Sequence, residues 1–200
     1  MNNKIANIIV DYIKDLEWID KLAGMTQVAK IHQTSGETKV EKRYPISCQM
    51  EYDDACKDGC YDELAPNSKY RSVVYFEDGS FSYSERRGKR LYYTSNIRLV
   101  AWLNYKLLRG AGCGSTGEYI LDIIKSLPDV PVDIGAMRGV TITVTSQARR
   151  DSGIFSQYTY NEPKTQYLMA PYDFFALDIR TEFFVIPECH EPNVGGCTEC

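Results

Sequence analysis

Residues 171–187 read PYDFFALDIRTEFFVIP, and this stretch decides the fold. Taken in alternation, Phe175, Leu177, Ile179, Thr181, Phe183 and Val185 share one side, which is apolar but for one Thr. Phe174, Ala176, Asp178, Arg180, Glu182, Phe184 and Ile186 share the other, which is apolar only at its ends. A period of two with one oily face marks a β-strand seated on a core and wet over the middle of its second face. Asp178, Arg180 and Glu182 alternate in sign, as charges do on a solvated or partner-facing sheet surface. The strand reads as scaffold and carries no evident chemistry.

The rest of the chain supplies material to pair with it. Residues 91–107 alternate almost throughout, with Leu91, Tyr93, Ile97, Leu99, Ala101 and Leu103 on one side. A strand of that length would span roughly 55 Å at about 3.3 Å per residue, so it must bend, bulge or project as a ribbon. A helix over 97–108 would leave Trp102 or Leu103 wet, which favours the strand. Before it, residues 70–76 read as a strand, Glu77-Asp78-Gly79-Ser80 as a hairpin turn and 81–85 as its return. Arg86-Arg87-Gly88-Lys89 reads as a second, basic turn. Residues 25–31, 39–50 and 139–148 are further strands, and residues 149–170 are mostly loop with one helical turn near Ile154.

Two helices complete the pattern. Ile5, Ile8, Ile9, Tyr12, Ile13, Leu16 and Ile19 recur at three and four, with Asn2 or Asn3 as cap and Gly24 beyond the end. Tyr119, Ile120, Ile123, Ile124 and Leu127 share a second helical face, which Pro128 terminates, with Ser115 and Glu118 in capping-box spacing. The expectation is one α+β domain over 1–187: a mainly antiparallel sheet, two packed helices, and a long projecting strand or hairpin over 77–108. An acidic, Cys-containing loop over 51–67 and a Cys-rich tail over 188–200 stand apart.

Composition narrows function by exclusion. Charged residues make up 25% of the chain and the net charge is −4, so nothing draws the whole surface to nucleic acid. No apolar run reaches the ~18 residues needed to span a membrane. The opening MNNKIANIIVDYIKDLEWID is broken by Asp11, Asp15 and Glu17, unlike a signal peptide, which implies a cytoplasmic product. The fifteen Tyr suit protein interfaces as well as strands.

Candidate chemistry is sparse. Gly112-Cys113-Gly114-Ser115-Thr116-Gly117 matches G-x-G-x-x-G between a strand and a helix, but the residues that follow, Pro128 to Asp133, supply no parallel strand. A flexible loop ending in a helix cap explains it more simply. The stretch from Asp54 fails as a calcium loop because Cys56 and Ala65 occupy its third and twelfth positions. Its acids, Asp53, Asp54 and Asp58, read either as a solvated acidic loop or as a docking surface whose partner on a neighbouring copy would be Arg86, Arg87, Lys89 and Arg90 or Arg149-Arg150. The basic turn with Tyr92 and Tyr93 could touch nucleic acid locally. Cys48, Cys56 and Cys60 form one trio, and Cys189, Cys197 and Cys200 with His190 another. These could hold zinc, separately or shared, or remain free thiols; the paired Cys-x-x-Cys knuckles of a strong zinc signal are missing. His32 and His190 are the only histidines, no nucleophile motif surrounds them, and no carboxylate pair sits in an apolar setting. The expectation is a protein that is not an enzyme and needs no cofactor unless zinc binds.

The stretches IRLVAWLNYKLL (97–108) and YDFFALDIRTEFFV (172–185), with the order of helix, long hairpin, helix and closing strand, resemble the tail-terminator and head–tail connector ring proteins of tailed bacteriophages. In texture they are most similar to the ring proteins of crAss-like phages. The likeness covers about two thirds of the chain and omits the cysteine-bearing loop and tail. It implies a structural virion protein, made in the bacterial host cytoplasm and built into the neck or tail. There several copies ring the DNA channel between portal and tail, touch neighbouring portal, connector or tail proteins, and let DNA pass without reading its sequence. It implies subunits joined through sheet edges and projecting hairpins, and no catalytic residue. The rival expectation is a small cytoplasmic zinc-binding or nucleotide-binding module.

Overall fold

A computed structural model describes residues 1–35, 38–48, 61–109, 115–145, 152–159 and 166–187; for 29–35, 38–42, 48, 61, 62 and 152 it describes the backbone alone. The fold is α+β. The nine strands of the described residues form one six-stranded and one three-stranded sheet, and helices cover one face of the larger sheet.

Helix α1 (Asn2–Ile13) buries Ile5, Ala6, Ile9 and Ile13 along one stripe. It stops short of the expected end at Ile19. Asp15 and Glu17 would place negative charge at the negative end of the helix dipole, and the chain leaves the helix after Lys14. Leu16 and Ile19 still pack against the same core through two single turns, Leu16 N–H to Ile13 O at 3.1 Å and Ile19 N–H to Leu16 O at 2.9 Å. Met1, not an Asn, occupies the cap position. Asn2 instead ties the helix to the sheet, accepting from Ser95 Oγ at 2.5 Å and donating to Asp78 Oδ1 at 2.5 Å.

Strand β1 (Lys21–Met25) follows, with Gly24 inside it. At Thr26 the chain changes sheet, its N–H and hydroxyl both bonded to Phe76 O. Strands β2 (Gln27–Ser35) and β3 (Thr38–Cys48) form a hairpin, and β4 (Tyr61–Glu63) adds a short third strand inside the expected acidic loop.

Strands β5 (Ser72–Arg87) and β6 (Arg90–Asn104) form the long hairpin. Here the structure overturns one expectation. Glu77-Asp78-Gly79-Ser80 is no hairpin turn: β5 runs through it, with a register shift between Asp78 and Phe81. Turn-forming residues serve equally well to make a β-bulge, and Gly79 lies so close to Asn96 that no side chain fits there. The hairpin turns once, at Gly88-Lys89 between the paired Arg87 and Arg90, where Gly88 takes φ +60°.

Helix α2 (Tyr105–Arg109) ends β6, and α3 (Thr116–Ser126) follows behind Ser115 as cap. The Ser115 side chain makes no cap bond, and Glu118 pairs with Arg109 instead. Thr116, Tyr119, Ile123 and Leu127 are buried, whereas Ile124 faces outward. Strands β7 (Val132–Ile134) and β8 (Met137–Val144) form a small hairpin. A 3-10 turn at Ser152–Phe155 matches the turn expected near Ile154, and a second spans Gln166–Leu168. Strand β9 (Tyr172–Val185) closes the fold.

The strand order is β1-β5-β6-β9-β8-β7, antiparallel at every step except β1 with β5. The deciding strand therefore lies centrally, flanked by β6 and β8. Its face from Phe175 to Val185 is buried at every alternate residue against α1 and α3, each large side chain contributing about 1.5–3 kcal/mol. On the opposite face, Phe174 and Ala176 join a second cluster with Tyr75, Val100, Trp102, Ile154, Phe155 and Tyr158. One end of the sheet is thus buried on both faces, which is why 99–103 reads as a nearly continuous apolar run. The other end, from Asp78 to Arg90, is exposed throughout.

Candidate functional site: a buried-carboxylate pocket and an open sheet edge

At the boundary between those two ends lies a pocket of about 470 Å³, bounded by the β5 bulge, by β6 and β9, and by the segment 154–157. Register places three charged residues in one row across neighbouring strands. Glu77 of β5 faces Arg98 of β6, and Arg98 faces Asp178 of β9. Arg98 Nε donates to Asp178 Oδ1 at 2.8 Å, and its Nη1 lies 3.9 Å from Glu77 Oε2. Tyr158, from the covering segment, donates its hydroxyl to Glu77 Oε1 at 2.8 Å and accepts from Gln157 Nε2 at 2.8 Å.

Glu77 is only 6% exposed. Burial pushes its carboxyl above the ordinary value, against the pull of the Tyr158 and Gln157 hydrogen bonds and the Arg98 charge; nearby Asp178 pushes it further up. Burial beside Glu77 likewise raises the Tyr158 phenol. No carboxylate pair is evident from the sequence; the fold brings Glu77, buried, and Asp178, partly exposed, to either side of Arg98 in a pocket lined mostly by polar residues. Arg98 is the cation that makes their proximity tolerable. The arrangement can hold a proton on Glu77 and offer mixed donors and acceptors to a polar group.

The second feature is the free half of β5. Strand β1 pairs with β5 only from Val73 to Phe76. Among the described residues no strand pairs with the same side of β5 beyond that point, which leaves Asp78–Arg87 as an open edge. Phe81 and Tyr83 stand on it, 46% and 55% exposed. They are propped by their neighbours: Phe81 stacks on Tyr93 with ring centroids 5.2 Å apart, Tyr83 meets Tyr93 edge-on at 5.8 Å, and Tyr93 stacks on Phe183 at 5.8 Å. A shallow pocket beside Phe81 and Tyr93 reaches the start of α1.

The basic tip is organised in the same way. The Arg87 guanidinium sits 5.3 Å from the Tyr92 ring centre and that of Arg90 4.6 Å from Phe184, while Tyr92 and Phe184 lie 5.6 Å apart. Arg87 also pairs with Glu85 at 2.5 Å, and Arg86 Nε donates to Gly88 O at 3.0 Å. The ribbon end therefore presents its cations on an aromatic platform.

Of the residues singled out from the sequence, the structure gathers Arg86, Arg87, Lys89, Arg90 and Tyr92 at this tip. Asp53, Asp54 and Asp58 lie outside the described residues, as do Cys56, Cys60, Cys189, His190, Cys197, Cys200 and the glycine loop at 110–114. Cys48 ends β3, and its side chain is not described. Among the described residues no group of three metal-ligating side chains converges. Nor is any described helix long and apolar enough to cross a membrane. Sequence reasoning missed Glu77, Arg98, Tyr158 and Asp178; the one signal available was the odd charged residue in otherwise apolar strands, Arg98 and Asp178.

No family model matches the chain, and no curated protein matches it in sequence.

Proposed function

We propose that this protein is a structural virion component, a subunit of a ring in the neck or tail of a tailed bacteriophage, and that it works by assembly. The observation that carries the proposal is the open half of β5: ten consecutive exposed residues, unpaired on one side among the described residues and bearing two exposed aromatics. An exposed edge of that length invites pairing with another chain, and its bulges at Asp78–Phe81 and Tyr83–Glu85 with the charges of Glu85, Arg86 and Arg87 restrict which strands can add to it. Here the edge is held rigid at its base, where β5 and β6 are buried on both faces. Rigid presentation lowers the ordering cost of association.

The resemblance in 97–108 and 172–185 supplies the setting. Copies arranged around a DNA channel would meet portal, connector or tail proteins above and below, and the DNA would pass without sequence recognition. The Arg86–Arg90 tip would then serve contact between proteins, its charges steering partners and fixing register.

The test is electron microscopy of the purified chain at rising concentration, alone and with the portal of its phage. Closed rings with a central hole wide enough for duplex DNA are expected. Featureless single subunits under both conditions would count against the proposal.

A further inference from the structure

The sheet has two ends to its strand order, and the register relates them. One row runs from Arg86 of β5 to Leu91 of β6, Val185 of β9, Met137 of β8 and Ile134 of β7. Strand β7, the far edge, therefore stands at the same level as the open half of β5. Successive antiparallel steps from β5 through β6, β9 and β8 leave β7 running in the same direction as β5. The two edges are separated by four interstrand steps, roughly 19 Å along the sheet at ~4.8 Å each, and they do not pair with each other among the described residues.

Their chemistry is complementary. The β5 side carries Phe81 and Tyr83, then Arg86, Arg87, Lys89 and Arg90, with Glu85 paired to Arg87. The segment leading into β7 carries Val130, the second most exposed large apolar side chain described at 68%, flanked by Asp129 and Asp133. Asp133 is held in place, accepting from the Gly139 N–H at 2.8 Å and pairing with Arg138 at 3.4 Å. With β7 laid parallel beside β5 at this level, Val130 falls near Phe81, Val132 near Tyr83, and Asp133 beside Glu85 and diagonal to Arg87, while Asp129 falls beyond Phe81 on the side away from the tip. Strand β5 already accepts a parallel partner on this side, since β1 occupies its first half.

We propose that the open edge of β5 in one copy receives the β7 edge of a second copy, continuing the six-stranded sheet from subunit to subunit. The contact joins two different patches, so it is head-to-tail and closes into a ring when the rotation per copy allows. This inference rests on the ring reading and assigns the surfaces that would make it.

Two exposed substitutions test it. Tyr83→Glu places a carboxylate on the β5 edge opposite the acidic segment, and Val130→Asp places one on the β7 side opposite the aromatics. Each variant keeps one edge intact. Native masses of the wild type, each variant and an equimolar mixture are compared, with thermal melts to check folding. Each variant alone runs as a single 22.8 kDa chain. The mixture forms pairs of one copy of each variant and nothing larger, because one intact edge of each kind remains and the two altered edges repel. If the wild type forms rings and either variant still assembles as it does, the edge assignment is overturned and the ring reading stands. If the wild type never exceeds one or two chains, both are overturned.

Discussion

Gly79→Ala tests the most consequential feature of the ribbon, the β5 bulge at its base. A Cβ added at Gly79 would lie 3.0 Å from the backbone carbon of Asn96 and closer still to its carbonyl oxygen. The obstacle is backbone, so no rotamer change relieves it; β5 and β6 must separate locally. Overpacking of this kind typically costs about 1–3 kcal/mol. Against it stands the gain from stiffening the unfolded chain, about 0.4–1 kcal/mol for Gly to Ala where the site tolerates it. The net expectation is a loss of about 0.5–2 kcal/mol. In urea, with a slope of about 1–3 kcal/mol per M, the midpoint falls by about 0.2–2 M while the slope stays fixed. Ser80→Ala, which removes only the exposed bond from Asn96 Nδ2 at 2.6 Å, is the control and moves the midpoint little. A Gly79→Ala variant as stable as the wild type would show that these residues form a loose turn, and the continuous-strand account of β5 would fail.

Further outcomes follow from the two faces of the sheet. Phe175→Ala, at a side chain with no exposure in the middle of the core, is expected to cost about 3–5 kcal/mol in urea unfolding. Glu182→Ala on the same strand's outer face is expected to stay within about 0.5 kcal/mol, and equal effects would refute the alternation. Glu77 predicts a pH dependence. Its folded carboxyl is raised above the ordinary 4.5 by burial, so its contribution is fully present below that value and is lost as pH rises through the folded value. Glu77→Gln keeps an acceptor for Tyr158 and removes this titration. The stability of the variant relative to the wild type should therefore be higher at pH 7 than at pH 4.5; a difference independent of pH would exclude Glu77 as a titrating group.

How far the sequence predicts this fold depends on whether a residue's environment is set by its own strand. Strand β9 was legible because alternation is a local property: all six residues assigned to its inner face are buried. The body of β6 was legible for the same reason, but the alternation to Leu107 overran its end, since the strand stops at Asn104 and Tyr105–Arg109 turn into a helix. The basic turn at Gly88 was legible too, where φ +60° requires glycine or its few substitutes. Glu77 to Ser80 misled because Asp-Gly is as much a bulge signal as a turn signal. What decides between them is that β6 keeps pairing on both sides of the shift, a non-local fact. The pocket was illegible for a related reason: Tyr158 and Ile154, which bury Glu77, come from a segment about eighty residues further along a stretch that reads as loop. The open edge could not be read at all, since it exists only because β1 is five residues long while β5 has sixteen.

We propose above all that copies of this chain join one another through their sheet edges. Native mass spectrometry of the unmodified protein tests it most directly, because it counts subunits and reveals bound metal in one spectrum. A closed assembly of several 22.8 kDa chains with one dominant copy number is expected. A monomer at every concentration, above all one carrying zinc, would contradict it and favour the rival metal-binding module.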